Sequence, residues 1–202
     1  MKFATFQFRE NISVGAVLNS GAEIVDLTAS GITTDMVDLI EHFGDRVDQI
    51  SRAVEAKSNV VSISDVALLA PIPTPLRNVF CVGKNYHDHA AEFGKSGFDS
   101  SSNGSNAAPE YPIIFSKPPS CIIGPNASII AANDLYNSVD YEGELAVVLG
   151  RNGRVCDEDD PLTFVFGYTI LNDVTSRELQ KGINNGCWAR ASTHSAQWDH
   201  SS

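Results

Sequence analysis

The stretch SVDYEGELAVVLGR, residues 138 to 151, constrains this chain more than any other. The valine-rich run from Leu145 to Leu149, closed by Gly150, reads as a strand with both faces covered. Three acids, Asp140, Glu142 and Glu144, lead into it at alternate positions. Alternate residues of a strand share a face, so these three point the same way while Val139, Tyr141, Gly143 and Leu145 point the other. Successive acids stand about 7 Å apart, where two negative charges repel by about 2 kcal/mol at an effective dielectric near 20. Either a positive group lies among them, or they are solvated at an exposed strand end. A divalent ion meets the first condition, because Mg²⁺, Mn²⁺ and Ca²⁺ prefer carboxylate oxygens. On spacing alone the solvated strand end is the commoner outcome.

The charge balance points the same way. With 14 basic and 25 acidic residues the net charge is −11 over 202 residues, and no Lys/Arg cluster could neutralise a phosphate backbone. Nucleic acid and anionic membrane are poor partners, whereas cations are plausible ones. No apolar run approaches the length of a membrane span, and MKFATFQFRENI lacks a secretory signature, so the expected location is the cytoplasm. Cys81, Cys121, Cys156 and Cys187 are scattered without a CxxC pair, which predicts reduced thiols, with Cys81 in the core.

Residues 1–70 predict a small α/β domain. KFATFQF, ISVGAVL and AEIVDL read as strands, with the turn NSG between the last two. Apolar positions three or four apart predict a helix from Thr34 to about Ala56, broken at Gly44. The prolines at 71, 73 and 75 mark a boundary to a second domain over 76–181. There NVFCVG reads as a buried strand, Tyr86 to Phe93 as a short helix, and the Ser/Asn/Gly-rich stretch 96–110 as a loop that could act as a lid. PIIFSK, CIIG, ASIIAA and FVFGYTIL add strands, so a rolled or sandwiched sheet is expected. The polar stretch 182–202 shows no periodicity and reads as an irregular tail.

Two further groups carry chemistry. In GYTILNDVTSRELQ, Asp173 follows an apolar strand, either as a third metal ligand or as the cap of the next helix. In VGKNYHDHAAEFG, His89 and Glu92 lie three apart on one helix face. They are either a polar surface pair or a general base made more basic by its carboxylate neighbour.

FCVGKNYHDHAAEFGKSGFD, PIIFSKPPSCIIGPNASI, VDYEGELAVVLGR and FVFGYTILNDVTSRELQK occur in this order and resemble the fumarylacetoacetate hydrolase family, which includes fumarylpyruvate hydrolases, acylpyruvases, oxaloacetate decarboxylases and hydroxymuconate isomerases. The resemblance runs from about Asn78 to Lys181. It implies a mixed β-roll, a homodimer, and Mg²⁺ or Mn²⁺ held by three carboxylates, here Glu142, Glu144 and Asp173. It also implies that His89, oriented by Glu92, activates water. Lys117 of FSKPP matches a site position whose ammonium would hold the substrate carboxylate; the alternative is a surface lysine beside a Pro-Pro turn. The implied activity is metal-dependent hydrolysis of a C–C bond in a 1,3-diketo acid such as fumarylpyruvate, a reaction of aromatic-compound catabolism. Decarboxylation, tautomerisation or isomerisation of an oxo acid on the same site is the alternative.

After Lys181 the pattern changes. Family members continue through Gln-Trp into a Lys-Ser-Phe-Asp-Thr-like stretch and several more strands, whereas this chain reaches Gln197-Trp198 and ends at Ser202. The fold class expected is therefore α+β: a small α/β domain followed by an incomplete β-roll that leaves an unpaired edge and an apolar face. A catalytically inactive fragment is the competing expectation.

Overall fold

The computed structural model describes residues 1–85, 111–131, 135–154, 160–182 and 196–199. The protein is α+β, with few helices and mostly antiparallel strands.

The amino-terminal residues build a five-stranded sheet. β1 (Lys2–Phe8) pairs with β2 (Asn11–Val17) in register from Lys2↔Val17 to Phe8↔Asn11. β3 (Glu23–Asp26), β4 (Val60–Ser62) and β5 (Ala67–Leu68) complete the order β4-β3-β2-β1-β5. Gly15 is required where β2 crosses β3, because a Cβ there would collide with the Ile24 side chain and the Val25 carbonyl. Two helices cover one face: α1 (Met36–Glu41) and α2 (Phe43–Glu55). Val14, Ala16, Val25 and Leu27 of the sheet side meet Met36, Leu39, Ile40, Ile50 and Ala53 in one buried cluster. The expected helix is therefore present, but its break falls at His42, which ends α1 and precedes α2, rather than at Gly44. Asp38 secures this corner. The Arg46 guanidinium reaches its carboxylate at 2.6 Å, and the Thr34 N–H and Thr33 hydroxyl donate to it. The guanidinium first, then the Thr34 N–H, hold that carboxyl well below the usual range.

After the prolines, β6 (Val79–Gly83) pairs with β7 (Ile113–Lys117) as an antiparallel ribbon. β8 (Ile122–Ile123) follows, and β9 (Val139–Asp140) leads to β10 (Gly143–Leu149). β11 (Val165–Asp173) lies antiparallel to β10. β12 (Thr175–Ser176) pairs back to β9, and α3 (Arg177–Gly182) follows it. β13 (Ala196–Asp199) sits between β11, to which it is antiparallel, and β8, to which it is parallel, giving a mixed sheet β10-β11-β13-β8. The two groups of strands touch through aromatic rings: Phe43 meets Phe3 and Phe166 edge-on at 5.8 and 5.3 Å.

Several expectations need correction. The tail is not wholly irregular, since Ala196–Asp199 is an interior strand of the mixed sheet. Residues 127–131 of the ASIIAA stretch carry no strand. The acid-bearing segment is two strands, not one: β9 and β10 belong to different sheets and the chain breaks step at Tyr141 and Glu142. Nor is β10 covered on both faces. Leu145, Val147 and Leu149 are 59%, 50% and 64% exposed, and the residues opposite the first two, Ile170 and Tyr168, are exposed too. An unbroken valine-rich run cannot distinguish a doubly covered strand from one whose outer face is apolar and open. The expected helix at 86–93 and loop at 96–110 lie outside the described residues. No helix among the described residues is long and apolar enough to cross a membrane.

Candidate metal centre

Strand pairing places the acids. Glu144 of β10 lies directly opposite Leu171 of β11, so both project to the same side of the sheet, and Asp173, two residues on, projects there as well. Glu144 and Asp173 are thus diagonal neighbours on the inner face. Asp173 is fully buried, at the last position of β11. It does not cap a helix, because β12 intervenes and α3 begins only at Arg177. The cap alternative is therefore excluded. From β6, whose Phe80 and Val82 face outward, Cys81 projects inward to the same point. One ligand atom from each of Cys81, Glu144 and Asp173 lies within 4.8 Å of the other two.

Lys117, at the end of β7, supplies the positive charge of this centre. Its ammonium stands 2.5 Å from Asp173 Oδ1 and donates to the Val174 carbonyl at 3.2 Å. Both side chains are 0% exposed, which excludes the surface-lysine alternative. Away from water each of these groups needs the other as its ion-pair partner, so the pairing fixes both side chains.

Glu142 takes a different partner. Its Oε1 accepts from Arg177 Nη1 at 2.5 Å, and Arg177 also binds Asp140 through Nη2 at 2.9 Å. The Glu142 backbone is tied to β11, with its N–H donating to Asn172 Oδ1 at 3.1 Å and its carbonyl accepting from the Asp173 N–H at 2.7 Å. The positive group expected among the three alternating acids is, for the first two, an arginine of the chain itself. Of the three carboxylates assigned to a metal by resemblance, the structure brings Glu144 and Asp173 together and turns Glu142 toward Arg177. His89 and Glu92 lie outside the described residues. Cys81 is the residue that sequence reasoning assigned only to the core; it is 4% exposed, so that assignment holds, but its sulfur also faces the two acids.

The donor chemistry fits a divalent cation. Two carboxylates and a thiol converge in a largely buried pocket, where a dication would balance like charges that otherwise repel.

Comparison with known proteins identifies the family of this chain. Residues 78–197 match the family described as fumarylacetoacetate (FAA) hydrolase, C-terminal. The chain is 35% identical over 198 residues to the oxaloacetate tautomerase YisK of Bacillus subtilis, covering 90% of this chain and 62% of that protein. It is 32% identical over 197 residues to the mitochondrial oxaloacetate tautomerase fahd2 of Xenopus laevis, covering 96% of this chain and 58% of the relative. Among solved structures, a fumarylacetoacetate hydrolase from Exiguobacterium antarcticum superposes with a TM-score of 0.69 at 33% identity, covering 95% of this chain and 62% of that one. The chain thus spans about three fifths of the length of these relatives.

Proposed function

The chain belongs to the fumarylacetoacetate hydrolase C-terminal family, and from that premise we propose that it acts on small 2-oxo acids at a divalent cation held by Glu144 and Asp173. The observation that carries this reading is the convergence of those two carboxylates beside the buried Lys117 ammonium. Mg²⁺ or Mn²⁺ is the proposed ion, and when bound it would supply Lewis-acid stabilisation of the negative charge that develops on the substrate's 2-oxo oxygen.

Keto–enol tautomerisation of an oxaloacetate-type acid is the first reaction proposed, because two relatives above 30% identity are named oxaloacetate tautomerases. In it the C3–H bond breaks and a proton is delivered to the enol oxygen, or the reverse, with no carbon–carbon bond broken. By the sequence resemblance, His89 oriented by Glu92 takes and returns that proton. Lys117 is assigned to hold Asp173 in place, since that is where its ammonium lies. Hydrolysis of a C–C bond in an acylpyruvate such as fumarylpyruvate is the second reading, favoured by the 33% identical structure named a fumarylacetoacetate hydrolase. There His89 would take its proton from water instead of C3. The homodimer implied by the resemblance is part of this proposal, and light scattering on the purified chain tests it.

The deciding experiment offers the purified chain oxaloacetate and acetylpyruvate in parallel, following enol absorbance in one and pyruvate release in the other. Faster enol decay that is lost with chelator and in Glu144→Gln supports the first reading. Pyruvate release with the same dependences favours the second. Neither activity, with Mg²⁺ or Mn²⁺ supplied, overturns both.

A further inference from the structure

The outer face of β10 and β11 carries apolar residues where a strand open to water ordinarily carries polar ones. In β10 the outward positions are Leu145, Val147 and Leu149, while the charged Glu144 points in. Strand pairing joins them to β11 in one patch, because Leu145 lies opposite Ile170 and Val147 opposite Tyr168. All five side chains belong to residues between 41% and 64% exposed. We propose that this face packs against the same face of a second copy of the chain, as the apolar centre of a two-fold symmetric dimer. This gives the homodimer proposed above its interface, and rests on that reading for the number of copies alone.

Area, charge and symmetry each select this occupant. Five large side chains about half open make a patch of roughly 500 Å², at the upper end of what a lone soluble chain exposes and over half of the roughly 800 Å² that each partner gives to a stable dimer. A polar rim supplies the rest. The chain carries a net charge of −11, so two copies repel over most of their surfaces. The five side chains of the patch are uncharged, hence contact here sets no carboxylate against another, and an acidic or basic partner finds none of them to pair with. A two-fold contact matches the patch with itself, apolar against apolar, without a second complementary surface. Two sheets meeting face to face stand about 10 Å apart with their side chains interdigitated, which suits leucine and valine rows beside a tyrosine ring. Glu144 and Asp173 lie on the opposite side of the ladder, so the acids stay clear of the contact.

Sedimentation equilibrium on the full chain is the test, and the wild type is expected at twice the mass of one chain. Val147→Lys and Ile170→Lys, on different strands, each place a charge in the patch. Two-fold symmetry counts each change twice, so either should raise the dimer dissociation constant by about 100-fold or more. Phe80→Lys, at a 70% exposed position on the separate β6–β7 ribbon, should leave it within about threefold. A thermal melt of each variant establishes that it folds. Hydroxyl-radical footprinting of the wild type needs no variant, and should show Leu149 and Tyr168 protected at high concentration and open on dilution, with Phe80 unchanged. A wild type that is monomeric at about 100 μM overturns the interface and the homodimer together. A dimer that survives both Val147→Lys and Ile170→Lys, dissociates only in Phe80→Lys, or protects Phe80 rather than Tyr168 overturns the interface and leaves the homodimer standing.

Discussion

Two ion clusters lie within a few residues of each other and differ in almost every physical respect. In one, Arg177 bridges Asp140 and Glu142 at a partly open position, where Asp140 is 46% exposed. In the other, Lys117 and Asp173 are wholly sealed, with Glu144 and Cys81 alongside. The first cluster is fastened by a planar guanidinium that satisfies two carboxylates at once, a geometry suited to locking β9 and the link at Glu142 to α3. The second places one ammonium beside two acids and a thiol, a surplus of negative donors that invites a cation. Acids in one sequence motif thus divide between two environments: Asp140 and Glu142 meet Arg177, while Glu144 faces Asp173 and Cys81.

The comparison breaks most visibly at the sealed cluster. Lys117→Met removes the cation facing buried Asp173 and is expected to cost about 3–5 kcal/mol in urea unfolding, whereas Lys117→Met with Asp173→Leu should recover most of it while abolishing metal binding. A smaller effect on free energy is expected from Glu144→Gln, with activity down by about 100-fold and unfolding within about 1 kcal/mol of wild type. Removing the guanidinium of the open cluster sharpens the contrast: Arg177→Met should cost about 1 kcal/mol and leave Mn²⁺ affinity within about threefold. A loss of metal binding there matching that of Glu144→Gln would show that the two clusters work as one.

The smallest expected effect comes from a third ion pair, remote from both clusters. Arg46 holds the Asp38 carboxyl below its usual range, so the pair stabilises the fold above the unfolded carboxylate pKa of about 3.9 and loses that contribution as pH falls below it. Asp38→Asn should therefore be less stable than wild type at neutral pH, with the difference shrinking on acidification. Melting curves between neutral and acidic pH check the sign.

Local order was readable from the chain where one period dominated. The hairpins of the amino-terminal sheet and the amphipathic helices follow from alternation or from 3.6-residue spacing, and β6, β7 and β11 from apolar runs, although β6, expected to be buried, turns Phe80 and Val82 outward. What could not be read is what depends on contact between distant strands. Nothing near Cys81 signals an acid 63 positions later, and Phe80 and Val82 are as apolar as the residues of a covered strand. Arg177 lies at a helix start, and only the β9–β12 pairing carries it back to Asp140. The tail fails for a different reason: a four-residue strand with partners on both sides draws its stability from β11 and β8 and needs little periodicity of its own.

Strand β10 serves two environments at once, since Glu144 and Ala146 look inward while Leu145 and Val147 look out. A slip of a single residue against β11 would exchange them, thrusting leucine into the acid pocket and casting the carboxylate into water. The one irregularity in that pairing falls between Val148 and Leu149, at the end remote from Glu144. Slack is thereby confined to the far end of the ladder, and the acid-bearing end keeps time.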